Sequence, residues 1–166
     1  MEKTTMSEKI LKALTRQMNR EIYSGYLYLG MASYADSIGL PGFANWFKAQ
    51  FKEELEHGMK FYDYLNQQGA RVILQDIEAP PQDFNSGPAL FEKTLAHEKN
   101  VTKLIHELVV MARQENDTDT VNFLQWFVKE QVEEEVAPAN IIKKIEEAGK
   151  DKEGLAKVDE FLAKRK

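Results

Sequence analysis

Apolar positions recur at alternating spacings of four and three along four long stretches, about residues 5–37, 42–68, 88–115 and 118–147. The first stretch presents Leu14, Met18, Glu21, Gly25, Tyr28, Ala32 and Ala35 on one face, and the second Phe43, Phe47, Gln50, Glu54, His57, Phe61 and Tyr64. The third gives Phe91, Leu95, Glu98, Thr102, Ile105, Val109 and Ala112, and the fourth Thr120, Leu124, Phe127, Gln131, Glu134, Pro138 and Ile141. A 4,3 repeat is the seam of helices that pack nearly parallel to one another, so the spacing predicts an all-α four-helix bundle. Thr5 with Glu8 reads as a capping box, Pro41 and Pro88 suit first helical turns, and Asp117 suits an N-cap. Arg71-Val72-Ile73-Leu74 is the best strand candidate and is short. Leu155, Val158 and Leu162 form a small apolar stripe in a tail helix over about 152–164, too short to stand alone. It is expected to pack on the bundle or at a symmetry axis.

The connections decide the topology. Short turns join the first helix to the second and the third to the fourth, which makes each pair an antiparallel hairpin. The stretch from Gly69 to Pro88 is much longer. A helix of about 28 residues is about 42 Å long, and roughly nineteen extended residues reach about 60 Å. This connection can therefore run the length of the bundle and start the third helix at the far end. The chain, 1–166, is expected to be one domain.

The seams are apolar except at one level. Glu21, Glu54 with His57, Glu98, and Gln131 with Glu134 each fall near the middle of their helix. Any one of these taken singly could be a surface group whose register is misread by one residue. All four at one depth make a shared layer. Buried glutamate is rare, and two carboxylates about 5 Å apart repel by roughly 3 kcal/mol at an effective dielectric of about 20. Protons or cations must relieve that repulsion. Glu54 and His57 lie one turn apart on one face, and oxygen ligands with a single imidazole suit iron, manganese or zinc better than copper or a calcium cage.

Composition narrows the classes. Of 166 residues, 43% are hydrophobic, 22 are Lys or Arg and 27 are Asp or Glu, for a net charge of -5. An acidic chain of this kind is expected to attract cations and not to bind nucleic acid. The absence of cysteine excludes disulfides, thiolate metal sites, iron–sulfur clusters and cysteine nucleophiles. No apolar run is long enough for a membrane span, and the N-terminus lacks the apolar core of a signal peptide; the expected location is cytoplasmic.

Nearly the whole chain resembles the prokaryotic non-haem ferritins, within the ferritin-like di-iron superfamily in which bundle helices contribute Glu and Glu-x-x-His ligands. The resemblance rests on Asn19-Arg20-Glu21-Ile22-Tyr23-Ser24 with Tyr26-Leu27-Tyr28-Leu29, on Gly42-Phe43-Ala44-Asn45-Trp46, on Glu53-Glu54-Leu55-Glu56-His57, on Phe123-Leu124-Gln125-Trp126-Phe127, and on Glu130-Gln131-Val132-Glu133-Glu134-Glu135. It implies that Glu21, Glu54 and His57 bind a first iron, with Glu54 bridging, and that Glu98 binds a second with Gln131 close by. It implies a third iron at Glu53, Glu130, Glu133 and Glu134, with Glu134 shared between the sites. It matches Tyr28 to the tyrosine beside the di-iron centre, either an electron donor or a core aromatic whose hydroxyl meets Glu98 or Glu21. The implied activity is that of a ferroxidase, in which dioxygen oxidises Fe(II), and the implied function is storage of Fe(III) mineral inside a homo-oligomeric shell of 24 subunits.

The departures from related families carry information too. The fourth helix has Glu130-Gln131-Val132-Glu133 where symmetric di-iron oxygenases, rubrerythrins and bacterioferritins carry a second Glu-x-x-His, so one iron should be held more weakly. Leu55 stands where bacterioferritin has its haem-ligating methionine, so no haem is expected. Pro138 should kink the fourth helix. His97 and His106 read as surface histidines, Trp126 as packing, and Lys164-Arg165-Lys166 as a favourable helix end. Glu115, Asp117 and Asp119 could line a cation entry pore or be a solvated helix start. Two other functions compete: a di-iron oxidase or peroxidase that stores nothing, and a structural or signalling helical bundle.

Overall fold

The computed structural model describes residues 6–166. They form α1 (Glu8–Ser37), α2 (Pro41–Gln67), α3 (Gly87–Gln114), α4 (Thr118–Ala148) and α5 (Lys152–Leu162), with no strand among them. The four long helices match the predicted segments to within a few residues. Thr5 lies outside the described residues; the side chain that caps α1 is Ser7, which accepts from the Ile10 N–H at 3.2 Å. Asp117 caps α4 as expected, accepting from the Thr120 N–H at 3.0 Å and from the Thr120 hydroxyl. Arg71–Leu74 is irregular backbone. Ile73 and Leu74 are exposed, so the segment buries no sheet face.

Contacts across the bundle fix its topology. Gly25 faces Glu54 and Gly58 faces Ile22, so α1 and α2 are antiparallel. Only residues 115–117 separate α3 from α4, so these two helices form a hairpin, joined by the Glu98–Gln131 and Thr102–Glu135 contacts. Ser24 meets His97 and Met31 meets Thr94 across α1 and α3, while Gln50 meets Glu134 and Tyr64 meets Thr120 across α2 and α4. Every adjacent pair is antiparallel, so α2 and α3 point the same way and residues 68–86 must travel the length of the bundle. They do so along α1. The Asn19 amide donates to the carbonyls of Gln75 and Asp76, Pro80 lies beside Gly30, and the Phe84 ring packs edge-on against Tyr34 at 5.6 Å.

The buried apolar side chains fall into two groups, not one. One is built on Tyr28, Met31, Phe43, Trp46, Phe47, Phe91 and Ile141. The other is built on Ile10, Leu14, Met18, Phe61, Ile105, Leu124 and Phe127. The predicted polar layer separates them along every helix. Helix α4 runs unbroken through the buried Pro138, and Glu134, one turn earlier, still faces inward.

Helix α5 packs on α2 and α4. Its anchor is the start of α2, where the Phe43 N–H donates to Asp159 Oδ1 at 2.9 Å. A Cβ on Gly42 would collide with the Asp159 backbone carbonyl, so close approach requires glycine there. Gly42→Ala is expected to undock α5 at a cost of about 1–3 kcal/mol. The transition temperature should fall, and amide exchange should accelerate in residues 152–162 while α1 to α4 stay protected.

Candidate metal centre

Eight polar side chains line the layer between the two apolar groups: Gln17 and Glu21 from α1, Gln50, Glu54 and His57 from α2, Glu98 from α3, and Gln131 with Glu134 from α4. Glu21, Glu54 and Glu98 are each 1% exposed and Glu134 6%. Gly25, one turn after Glu21, lets the helices approach: a Cβ there would stand 3.3 Å from the Glu54 Cβ.

Ligand atoms of Glu21, Glu54 and His57 lie within 4.8 Å of one another, as do those of Glu54, Glu98 and Glu134, and those of His57, Glu130 and Glu134. Glu54, His57 and Glu134 each belong to two of these groups. The imidazole Nδ1 lies 3.2 Å from Glu54 and 4.0 Å from Glu21, while Nε2 lies 3.8 Å from Glu130 and 4.0 Å from Glu134. Six of the sequence-predicted residues, Glu21, Glu54, His57, Glu98, Glu130 and Glu134, therefore converge directly. Gln131 joins them through its amide, which donates to Glu98 Oε2 at 3.2 Å and contacts the Thr102 hydroxyl. Tyr28 is fully buried and its hydroxyl donates to Glu98, which is one of the two contacts its position allowed. Glu53 and Glu133 do not join a ligand group: Glu53 is ion-paired with Arg165, and Glu133 is exposed.

Three neighbours have no part in the site as read from the sequence. The Gln17 amide donates to Glu21 at 3.0 Å and leaves its own carbonyl oxygen buried without a partner. The Gln50 amide donates to Glu134 at 2.5 Å. His97 is not a surface group. It lies half-buried with its ring edge-on to Tyr28 at 5.9 Å and a nitrogen 2.8 Å from the Ser24 hydroxyl. Burial lowers its pKa to about 4, so the ring is neutral. His106 is exposed, as expected. Trp126 packs against the His57 ring at 5.4 Å, and the Lys60 ammonium lies over the Trp126 ring at 4.2 Å. Glu115, Asp117 and Asp119 line a surface concavity with Ser7.

Burial dominates the electrostatics. It raises the Glu98 carboxyl to about 7 and Glu134 to about 9, the Glu98 charge adding to the latter. Glu54 is pushed well above its ordinary value by burial and then by Glu98, Glu21 and Glu134. Glu21 is raised by burial, against the opposing pull of the Gln17 amide. Tyr28 is driven far up by burial beside Glu98 and stays a neutral donor. Without cations the layer holds protons. Divalent ions would release those protons and take up the same lone pairs. The donor set, carboxylates with one imidazole, fits two ions that share Glu54.

The family described as a ferritin-like domain matches residues 11–148. The chain belongs to the ferritin-like family. A bacterial non-heme ferritin of Staphylococcus epidermidis is 40% identical over 160 residues, 96% of each chain. A probable bacterial non-heme ferritin-like protein of Haemophilus influenzae is 40% identical over 157 residues, 95% of each. Among solved structures, an open pore ferritin of the archaeon Archaeoglobus fulgidus superposes with a TM-score of 0.95 at 53% identity, covering 98% of this chain and 99% of that one. Membership of the ferritins brings iron storage as the function, and the fold is theirs: four long helices, a full-length crossover and a short fifth helix.

The raised carboxyls give this ferritin a signed pH dependence. Between about pH 4.5 and pH 9 the folded, metal-free layer binds protons that the unfolded chain has released, so stability falls as pH rises through that window. The metal-free transition temperature is expected to drop from about pH 5 to about pH 8. Zn(II) should largely abolish the drop, and Glu54→Gln should shrink it. A metal-free profile that is flat or rising across this range would count against a crowded, uncompensated layer.

Proposed function

We propose that this ferritin oxidises Fe(II) with dioxygen between its four long helices and passes Fe(III) to a mineral inside a hollow homo-oligomeric shell. The observation that carries this reading is the sharing of Glu54 between two buried ligand groups at one depth. Glu21, Glu54 and His57 bind the first Fe(II). Glu54, Glu98 and Glu134 bind the second, with the Gln131 amide steadying Glu98. The carboxyls lose their protons as the ions enter. Each ion then gives one electron to dioxygen, so the pair supplies a two-electron reduction without a resident cofactor. Tyr28 is an oxidisable ring whose hydroxyl is held on Glu98, a proposed ligand of the second ion.

The second ion has no imidazole, and its carboxylates are also engaged by Gln50, Gln131 and Tyr28. It is therefore the weaker-held ion, as a centre that discharges its product requires. Glu53, Glu130, Glu133 and Glu134 are the proposed third position. No haem takes part: Leu55 follows the bridging glutamate where a sulfur ligand would be needed, and the curated relatives are named non-heme. Among the described residues no helix is long and apolar enough to cross a membrane. We place the shell, built of single-domain subunits spanning 1–166, in the cytoplasm. The Staphylococcus and Archaeoglobus ferritins, similar along nearly their whole length, favour storage over a di-iron oxidase that stores nothing.

Two measurements test this reading. Glu54→Ala should slow the fast phase of Fe(II) oxidation in stopped flow by at least roughly 100-fold with helicity retained, whereas Glu130→Ala should alter the later phase of oxygen use more than the first. Unchanged traces for both variants would remove the assignment. In gel filtration, a closed shell of roughly 24 subunits of 19.1 kDa should elute near about 460 kDa; a monomer or dimer would turn the reading toward the non-storing oxidase.

A further inference from the structure

The segment that follows α5 folds back on α2 close to the metal layer. The Asn45 amide donates to the carbonyls of Leu162, Ala163 and Arg165 at 3.2, 3.3 and 2.8 Å, which ties the segment's backbone to α2. The Arg165 guanidinium then lies over the Trp46 ring at 4.4 Å and donates to the Trp46 carbonyl at 3.2 Å. Its other terminal nitrogen donates to Gln50 Oε1 at 2.9 Å and to Glu53 Oε2. Gln50 is buried, and with its oxygen held by Arg165 its nitrogen points at Glu134 and, at 3.4 Å, at Glu54. A continuous line of hydrogen bonds thus runs from Glu53 through Arg165 and Gln50 to two carboxylates of the metal layer.

We propose that Arg165 is a resident counter-cation that occupies the Glu53 carboxylate and must be displaced before a third divalent ion can bind there. The proposal rests on the reading of Glu53 as a ligand of the third position. An oxygen engaged by a guanidinium is not free for a metal, and the fixed positive charge repels an approaching dication. Arginine suits this role better than lysine, because its planar group lies flat on Trp46 and divides its donors among three acceptors. This pairing also accounts for the absence of Glu53 from every ligand group. Displacement frees Gln50 Oε1 and unlocks the amide that faces Glu134 and Glu54, so filling of the third position is felt at the pair. Arg165 is a positioning residue: it acts through Glu53 and Gln50, not on iron.

Anaerobic Zn(II) titration of the full-length protein by calorimetry tests this. Glu53→Gln should lose the weakest binding event. Arg165→Met should tighten that event by about five- to tenfold with the tighter events unchanged, and Arg165→Lys should fall between Met and the parent. In a Trp126→Phe background, Trp46 emission should change as the weakest event fills and should stay constant in the Arg165→Met protein; Arg165→Gln repeats the comparison if the methionine disturbs assembly. If Glu53→Gln loses one ion while the Arg165 variants keep every affinity within about twofold, the counter-cation role is overturned and the third position stands. If Glu53→Gln binds as many ions as the parent, Glu53 is no ligand, and the third position and the role of Arg165 fall together while the Glu54-bridged pair remains.

Discussion

The structure depends on one crowded arrangement: four carboxylates and an imidazole confined to a thin layer with apolar core on both sides. Phe47 and Phe91 close it from one side, Phe61 and Phe127 from the other. Water cannot screen the charges, and burial is accordingly the first cause of every raised carboxyl in the layer. Replacing the layer with leucine would join the two cores into one and stabilise the metal-free bundle. The layer is therefore a stability cost that function explains, and the length of the helices supplies the apolar surface that tolerates it.

Local pattern carries most of the fold. The 4,3 stripes locate the helices, and the positions at which acids interrupt them locate the layer, because a side chain's face on a helix follows from its number alone. Contacts between distant segments are another matter. Arg165 touches Glu53 and Gln50 across more than a hundred residues of chain, and no periodicity encodes that meeting, so it reads as an ordinary helix end. His97 lies off the α3 seam but faces α1, where Ser24 and Tyr28 cover it; assigning a helix a single inward face hides such a second contact. Gln17 precedes Glu21 by one turn but lies one position off the 4,3 stripe through Leu14 and Met18, so the stripe does not mark it as buried. Glu53 and Glu133 show the reverse limit. The family resemblance assigns both to a ligand set, yet Glu53 is paired with Arg165 and Glu133 faces solvent.

The asymmetry of the layer follows from which helix supplies what. Helix α2 alone contributes Gln50, Glu54 and His57 at successive turns of one face, so one side of the layer has both a carboxylate and an imidazole prearranged on a rigid element. Helices α3 and α4 offer Glu98 and Glu134, one carboxylate each, and satisfy the rest of the layer with the neutral Gln131. Position 133, where a Glu-x-x-His beginning at Glu130 would put its histidine, faces solvent, and the inward positions of α4 are held by Gln131 and Glu134, which leaves this half without an imidazole of its own.

Hydrogen bonding in the metal-free state then bears on how readily ions leave. The Gln17, Gln50 and Gln131 amides and the Tyr28 hydroxyl each donate to a carboxylate that the proposed function assigns to iron. A hydrogen bond contributes about 0.5–1.5 kcal/mol, and about 1.5–3 kcal/mol where the acceptor is charged. An arriving ion gives up part of its binding free energy wherever it takes a lone pair from one of these donors, and a departing ion recovers it. A donor set built only to hold metal would leave the carboxylates unpartnered and would bind more tightly. These four donors keep the empty layer folded and ordered and lower the affinity of the filled one, which is the balance a centre needs if each pair of ions is to be replaced by the next.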